Sequence, residues 1–302
     1  MATTNLHRVP PVPPAPYLVY QAVTPMGSMA DPNLSDVVVI SLDGNIGAGK
    51  STLLEAVRTA MPEVEVVVEP VGEWENLKTA DGTSLLAHFY DDSKRWGYTF
   101  QNCAILTRII ALKNAIKTTK KRVIVTERSV MTDRYVFAEM NRDCGNINEM
   151  EWDLYLKWFD NFAADLPVKG VIHVTTNVST SADRIVSRGR EGEDGIPKDY
   201  LTSLDAQHYK WLDSTDLPVL RLSTEIGVSL ESNLERVKAF IAPFISGADS
   251  DADAESSETD SAKTSLESKS VGSCSGGDDL KYFPSTATNT QDTPYRGEAI
   301  SL

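Results

Sequence analysis

The chain has 302 residues, 41% of them hydrophobic and 24% charged, ordinary values for a soluble globular protein of one large or two small domains. A net charge of -14 argues against general binding to a nucleic-acid backbone, which needs a surplus of Lys and Arg. No apolar run approaches the roughly eighteen residues a membrane span requires, and three scattered cysteines (Cys103, Cys144, Cys274) fit neither a disulfide framework nor a zinc site, so a reducing, cytoplasmic setting is expected.

Residues 1–35 contain the proline cluster Pro10-Pro11-Val12-Pro13-Pro14-Ala15-Pro16, which favours extended backbone over a packed core, so this head is expected to be disordered. It carries one arginine and no acid before Asp31, which leaves a mitochondrial leader as the alternative location; the missing Arg-rich amphipathic pattern argues against it.

From residue 36 to 245 strands and helices alternate. Val37 to Leu42 is a continuous apolar run, as in a strand buried on both faces of a parallel sheet. A glycine-rich turn leads into a helix from about Lys50 to Ala60, stopped by Pro62, and Val64 to Val68 reads as the second strand. Helical stretches then run to about Thr118, followed by a strand at Val123 to Thr126 and helices at Val130 to Met140 and Glu149 to Phe162. A fourth strand, Val171 to Thr175, precedes a helix from Ser181, a loop and a helix to Trp211; a short strand at Val219 to Leu222 and a helix to Ile241 close the pattern. This alternation predicts one α/β domain on a parallel sheet flanked by helices, with ligands at the carboxyl ends of the strands. After Ile245 the chain turns to Ser, Asp, Glu, Thr and Gly; Ser246 to Leu302 holds eleven acidic and four basic residues, a charge of -7, so 246–302 is expected to be a disordered acidic tail.

Gly44-Asn45-Ile46-Gly47-Ala48-Gly49-Lys50-Ser51, followed by Thr52, fits G-x-x-x-x-G-K-[ST] between a buried strand and a helix. Its glycines let several N–H groups converge on phosphate oxygens; Lys50 adds positive charge, and the Ser51 hydroxyl is a ligand for Mg²⁺. This P-loop specifies phosphate and leaves the reaction open. Glu69-Pro70-Val71 with Trp74 follows the second strand, where a carboxylate reaches the cleft; alone, it is also an ordinary strand-ending turn. Glu127-Arg128-Ser129 follows the third strand and offers an acid for Mg²⁺ or its waters, or equally a helix start capped by Ser129. Arg184, Arg188 and Arg190 lead into the glycine-hinged stretch Gly189 to Pro197, either an arginine-rich lid closing on a triphosphate or a solvated, salt-bridged loop.

Taken together, from about Val37 to Ile241, these motifs resemble the deoxynucleoside kinase family: its P-loop, E-P-V-x-x-W, E-R-S and R-x-x-x-R-x-R lid occur in order. The resemblance implies a P-loop kinase that transfers the γ-phosphoryl group of ATP or another nucleoside triphosphate, with Mg²⁺, to the 5′-hydroxyl of a deoxynucleoside, working as a homodimer. It implies Glu69 as general base, Arg128 as the group orienting that base and the phosphoryl group, and Lys50, Arg188 and Arg190 as stabilisers of the transferring phosphate. Tyr90 and Glu193 match the pair that hydrogen-bonds the 3′-hydroxyl, Gln101 matches the reader of the base edge, and Phe137 and Trp74 match its aromatic walls. Ile46, Val71, Leu86, Phe89 and Phe100 fall among the implied substrate contacts, and Arg184 with the P-loop among the donor contacts.

Gln101, Ala104 and Arg108 share one helix face, as do Asp133 and Phe137. The family's deoxycytidine and deoxyguanosine kinases carry this Arg and Asp, whereas its thymidine-accepting members carry Met and Ala. The expected preference is therefore for deoxycytidine or purine deoxynucleosides over thymidine; a structural Arg–Asp ion pair, or a thymidine-preferring or broad-specificity enzyme, is the alternative. Phe89 stands where many members have Met, which tightens the sugar side. A short stretch between Trp211 and Val219 leaves the donor base, ATP or UTP, open. A nucleoside monophosphate kinase is the nearest enzymatic rival; a P-loop switch or transporter would carry an Asn-Lys-x-Asp or ABC signature, and neither occurs.

Overall fold

The apolar runs of the sequence become five parallel strands: β1 (Val38–Gly44), β2 (Glu65–Val67), β3 (Val123–Glu127), β4 (Val168–Thr175) and β5 (Val219–Ser223), in the order β2-β3-β1-β4-β5. The structure, a computed structural model, describes residues 36–190, 192–193 and 195–247. The expectations for residues 1–35, for the tail from residue 248 and for Cys274 lie outside the described residues. No helix among the described residues is long and apolar enough to cross a membrane.

Every residue of β1 is buried because helices cover both faces of the sheet. Its period-two alternation divides the core. Val38, Ile40 and Leu42 face a layer built with Leu53, Leu54 and Val57 of α1 (Lys50–Ala60) and Val237 and Ile241 of α10 (Leu230–Ser246). Val39 faces the opposite layer, with Ile105, Ile109 and Leu112 of α4 (Ser93–Thr118) and Tyr155 and Phe159 of α7 (Glu149–Phe162). The crossover after β1 thus runs over one face and that after β3 over the other. The connections leaving these two paired strands part at a topological switch point, where an open α/β sheet leaves a crevice for ligands.

Helices α1 and α7 occupy the spans expected from the sequence. Three other differences are informative. First, β1 continues to Gly44, so the phosphate-loop motif begins inside the sheet rather than after it. Second, α10 runs through Pro243 to Ser246 instead of stopping at Ile241; the buried Phe244 keeps packing there, its carbonyl accepts from Arg122 Nε at 2.9 Å, and Gly247 (φ 74°) caps the end. Third, the helix expected from Val130 to Met140 is interrupted. It starts as α5 (Val130–Thr132), widens to a π-helical stretch over Asp133–Ala138 and resumes as α6 (Glu139–Asp143). The Tyr135 carbonyl accepts from Gln207 Nε2 at 2.9 Å, and Thr132 and Asp133 are tied to Asp43 and Arg108. Wide turns of this kind recur at functional sites.

The remaining helices frame the crevice: α2 (Val71–Asn76), α3 (Leu85–Asp91), α8 (Val178–Arg188) and α9 (Lys198–Leu212).

Candidate active site

A cavity of about 740 Å³ opens at the carboxyl ends of the strands. Both Lys50 and Glu69 line it, as do Ile46, Gly47, Gly49, Ser51, Thr52, Val71, Trp74, Leu86, Phe89, Tyr90, Phe100, Gln101, Ala104, Arg108, Glu127, Arg128, Asp133, Phe137, Arg184, Arg188, Arg190 and Glu193. Three residues of the expected set stand behind its wall: Gly44, Asn45 and Ala48. Asn45 turns its side chain away, donating from Nδ2 to the Leu201 carbonyl at 2.8 Å and accepting from the Ile46 N–H at 2.8 Å, so it braces the loop against α9.

The phosphate loop obtains its curvature from Gly47 (φ 74°) and Gly49 (φ 91°), backbone conformations that side chains other than glycine's disfavour. Lys50, 5% exposed, donates to the carbonyls of Gly44 at 3.1 Å and Asn45 at 2.8 Å. Burial, followed by the neighbouring Arg128 charge, lowers its ammonium to about 7. Ser51 Oγ donates to Glu127 Oε1 at 3.0 Å, bringing a hydroxyl and a carboxylate together where the loop meets β3. Hard oxygen ligands of this kind suit Mg²⁺.

Arg128 has φ 58°, a left-handed conformation found at no other non-glycine residue among the described ones. Such a conformation costs about 1–3 kcal/mol and persists only where the surroundings over-determine it. Here they do. The Arg128 N–H donates to the Leu42 carbonyl at 3.0 Å, Nη1 donates to both oxygens of Glu69 at 2.7 Å, and Nη2 reaches the Gly44 carbonyl at 3.3 Å. The strained turn therefore ties the carboxylate after β2 to the phosphate loop after β1.

Glu69 has a second guanidinium partner, Arg108, whose other terminal nitrogen donates to Asp133. Burial alone would raise the Glu69 carboxyl, but Arg128, Arg108 and Lys50 outweigh it and bring it down to about 2. For Asp133, burial dominates and lifts it to about 6 against the pull of Arg108. The second Asp133 oxygen and both polar atoms of Gln101, a residue only 1% exposed, have no hydrogen-bond partner among the described residues. Buried polar groups without partners are costly, so this end of the cavity suits a ligand carrying both donors and acceptors.

Aromatic side chains enclose that end. Phe89 stacks on Phe100 with ring centroids 4.5 Å apart, Trp74 meets Phe100 edge-on at 5.4 Å, and the Arg108 and Arg128 guanidinium groups lie 5.0 Å from the Trp74 and Phe137 rings. Tyr90 is pushed well above the ordinary phenol range by burial, then by Tyr200 and Glu193.

The arginines expected as a lid divide into two groups. Arg188 and Arg190 both donate to Glu193, Arg190 at 3.0 Å, and Arg190 also lies 3.6 Å from Glu75 on α2. Glu193, matched by resemblance to a 3′-hydroxyl contact, is thus shared with two guanidinium groups. Arg184 sits apart, donating to the Gly47 carbonyl at 3.4 Å and to Thr224.

Leu53, Val68, Tyr200, Thr224, Val228, Leu230 and Asn233 also line the cavity, and the sequence reading passed over them. Thr224 follows β5 directly, so the strand-end rule would have flagged it. Tyr200 comes from a helix with no motif around it and carries no such signal.

The family model for deoxynucleoside kinases matches residues 40–246. Deoxycytidine kinase 1 of Xenopus laevis is 34% identical over 244 residues, covering 69% of this chain and 92% of that protein. Deoxycytidine kinase of Homo sapiens is 35% identical over 234 residues (67% and 90%), and mitochondrial deoxyguanosine kinase of Xenopus laevis 30% identical over 260 residues (74% and 98%).

Proposed function

The chain belongs to the deoxynucleoside kinase family and is a phosphotransferase of nucleotide salvage that phosphorylates deoxynucleosides; from that premise we propose how its residues divide the work. Glu69 orients the 5′-hydroxyl and accepts its proton as the oxygen bonds to the γ-phosphoryl group, and the nucleoside diphosphate leaves. A carboxyl held near 2 is a weak base, which suits a loose transition state in which the attacking oxygen loses its proton late. Positioning and charge stabilisation then carry most of the rate enhancement.

Lys50 and the loop amides hold the phosphates, Arg128 bridges the base to that cradle, and Arg188 and Arg190 face the transferring group when they release Glu193. Ser51 and Glu127 would hold Mg²⁺, which when bound neutralises charge on the β- and γ-phosphates. The donor is ATP or another nucleoside triphosphate. Residues 36–245 form the catalytic domain.

The observation that carries this reading is the shared cavity: Lys50 and Glu69 both line it, and Arg128 joins Glu69 to the Gly44 carbonyl of the phosphate loop.

The base preference rests on Gln101, Arg108 and Asp133. An anionic acceptor, a guanidinium donor and an unpartnered amide favour a base edge with an exocyclic amino group beside a ring nitrogen, as in deoxycytidine and the purine deoxynucleosides. Thymidine lacks that amino group. Incubating the enzyme with ATP, Mg²⁺ and each of the four deoxynucleosides, with their monophosphates as controls, tests both parts. Kcat/KM values favouring thymidine more than about tenfold, equivalent to some 1.4 kcal/mol, overturn the preference, and turnover of monophosphates alone overturns the acceptor.

A homodimer is supported by α4 and α7. Met150, Leu154, Trp158 and Phe162, each four residues apart on α7, are all exposed, and so are Leu106 and Ile110 on α4. A monomer rarely leaves an apolar stripe of this length in water.

A further inference from the structure

The loop after β5 grips both the phosphate loop and the helix that carries the arginines. Thr224 Oγ1 donates to the Ala48 carbonyl at 2.6 Å and accepts from Arg184 Nη1 at 3.2 Å. The Thr224 carbonyl accepts from Arg184 Nη2 at 2.7 Å, and its own N–H donates to the Thr175 carbonyl at 2.9 Å, which fixes the residue to the end of β4. The next residue, Glu225, accepts from the Asn177 N–H, from Thr176 Oγ1 at 2.7 Å and from Thr180 Oγ1 at 3.4 Å, so it anchors the start of α8.

The contact with Ala48 matters because of what surrounds it. The Ala48–Gly49 peptide leads into a glycine, Gly49, at φ 91°. Glycine populates either sign of φ with little penalty, so the cradle has weak intrinsic preference for one orientation of this peptide over its flip. A flip would aim the Ala48 carbonyl at the phosphates instead of an N–H. In a trans peptide the C=O and N–H point in opposite directions. A carbonyl held by Thr224 therefore keeps the Gly49 N–H directed the other way.

We propose that Thr224 is a positioning residue for the phosphoryl donor: its hydroxyl holds the Ala48–Gly49 peptide with the Gly49 N–H offered to the triphosphate, and the same residue fixes Arg184 beside the loop. The inference rests on reading the phosphate-loop end of the cavity as the donor site. Nucleoside binding lies at the Gln101 end, with no contact to Thr224, and is unaffected.

The test compares Thr224→Val, Thr224→Ala and Thr224→Ser with the parent enzyme. Calorimetry with Mg·ADP in the absence of nucleoside gives donor-site affinity, and steady-state assays give KM for ATP and for deoxycytidine separately. Thr224→Val and Thr224→Ala are expected to weaken Mg·ADP about tenfold, the effect of losing roughly one hydrogen bond. KM for ATP should rise in parallel, the nucleoside KM should stay within about twofold of the parent value, as expected for sites that share no partners, and Thr224→Ser should restore donor affinity. Thermal melts check that each variant is folded. Unchanged Mg·ADP affinity in the Val and Ala variants, an equal loss of donor and nucleoside affinity, or a Ser variant as impaired as Val each overturns the proposal. A parent enzyme that binds Mg·ADP but phosphorylates no deoxynucleoside sinks the kinase reading and leaves the calorimetric comparison intact.

Discussion

Arg108 donates to Glu69 with one guanidinium nitrogen and to Asp133 with the other, so the group expected to select the base also holds the carboxylate expected to activate the sugar hydroxyl. Arg128, just after the neighbouring strand β3, grips the same carboxylate. The groups proposed for base reading and for proton transfer are thereby parts of one buried ion network.

Replacing Glu69 with Gln keeps an acceptor and removes the charge. General-base contributions are typically 10²–10⁴-fold, so kcat is expected to fall by at least about 10²-fold while nucleoside affinity changes only a few-fold. Single-turnover kinetics with separately measured nucleoside binding checks this, and near-normal turnover removes Glu69 from the role. The variant also leaves two buried arginines without their shared anion, so its melting temperature should drop.

The same carboxylate predicts a pH dependence of stability. Its folded value, about 2, lies below the ordinary value of 4.5, so the network's contribution is fully present above about 4.5 and is lost as pH falls toward 2. Unfolding free energies of parent and Glu69→Gln should therefore converge in acid across that window. A gap that stays constant down to the lowest pH at which both fold contradicts the assignment.

Burial, then the neighbouring Arg128 charge, lowers the Lys50 ammonium to about 7. A triphosphate favours the charged form, so its pKa rises when the donor binds, and binding takes up protons between about pH 7 and 9. Calorimetry of Mg·ADP in buffers of different ionisation enthalpy measures the uptake. Lys50→Met should lose it, and a parent enzyme with no uptake at pH 8 argues against the shift.

Changing Arg108 to Met and Asp133 to Ala removes the charged base-edge partners and opens room for a methyl group. The double variant is expected to shift the thymidine-to-deoxycytidine ratio of kcat/KM by more than about tenfold, or some 1.4 kcal/mol. Arg108→Met alone takes away one of Glu69's two guanidinium partners and should lower kcat on every nucleoside. If the single variant changes only base choice, the ion network has no part in turnover.

The exposed stripe on α7 predicts assembly. Trp158→Glu with Leu154→Glu places charges in what would be the buried centre of a dimer contact, and sedimentation should show monomers with retained helicity. An unchanged mass for the double variant moves the interface elsewhere.

The sequence alone determined the parallel α/β frame and named most of the residues that line the cavity. Buried parallel strands are continuous apolar runs, and phosphate loops need glycine, lysine and a hydroxyl at fixed spacing, so both are written locally. The limit of α1 was legible for the same reason, since Pro62 stops it, and the structure adds the Asn148–Glu151 capping box that starts α7. What the tertiary structure decided lies between elements distant in the chain. That Arg108 on α4 meets Glu69 after β2, that Glu193 is claimed by two arginines, and that Thr224 clips the phosphate loop are consequences of strand order and helix packing. No local propensity encodes a contact between residues 39 or 176 positions apart. The π-helical turn belongs to the same class, since its local sequence reads as ordinary α-helix and its widened form is supported by hydrogen bonds donated by Gln207 and Arg108 and accepted by Asp43, all elsewhere in the fold.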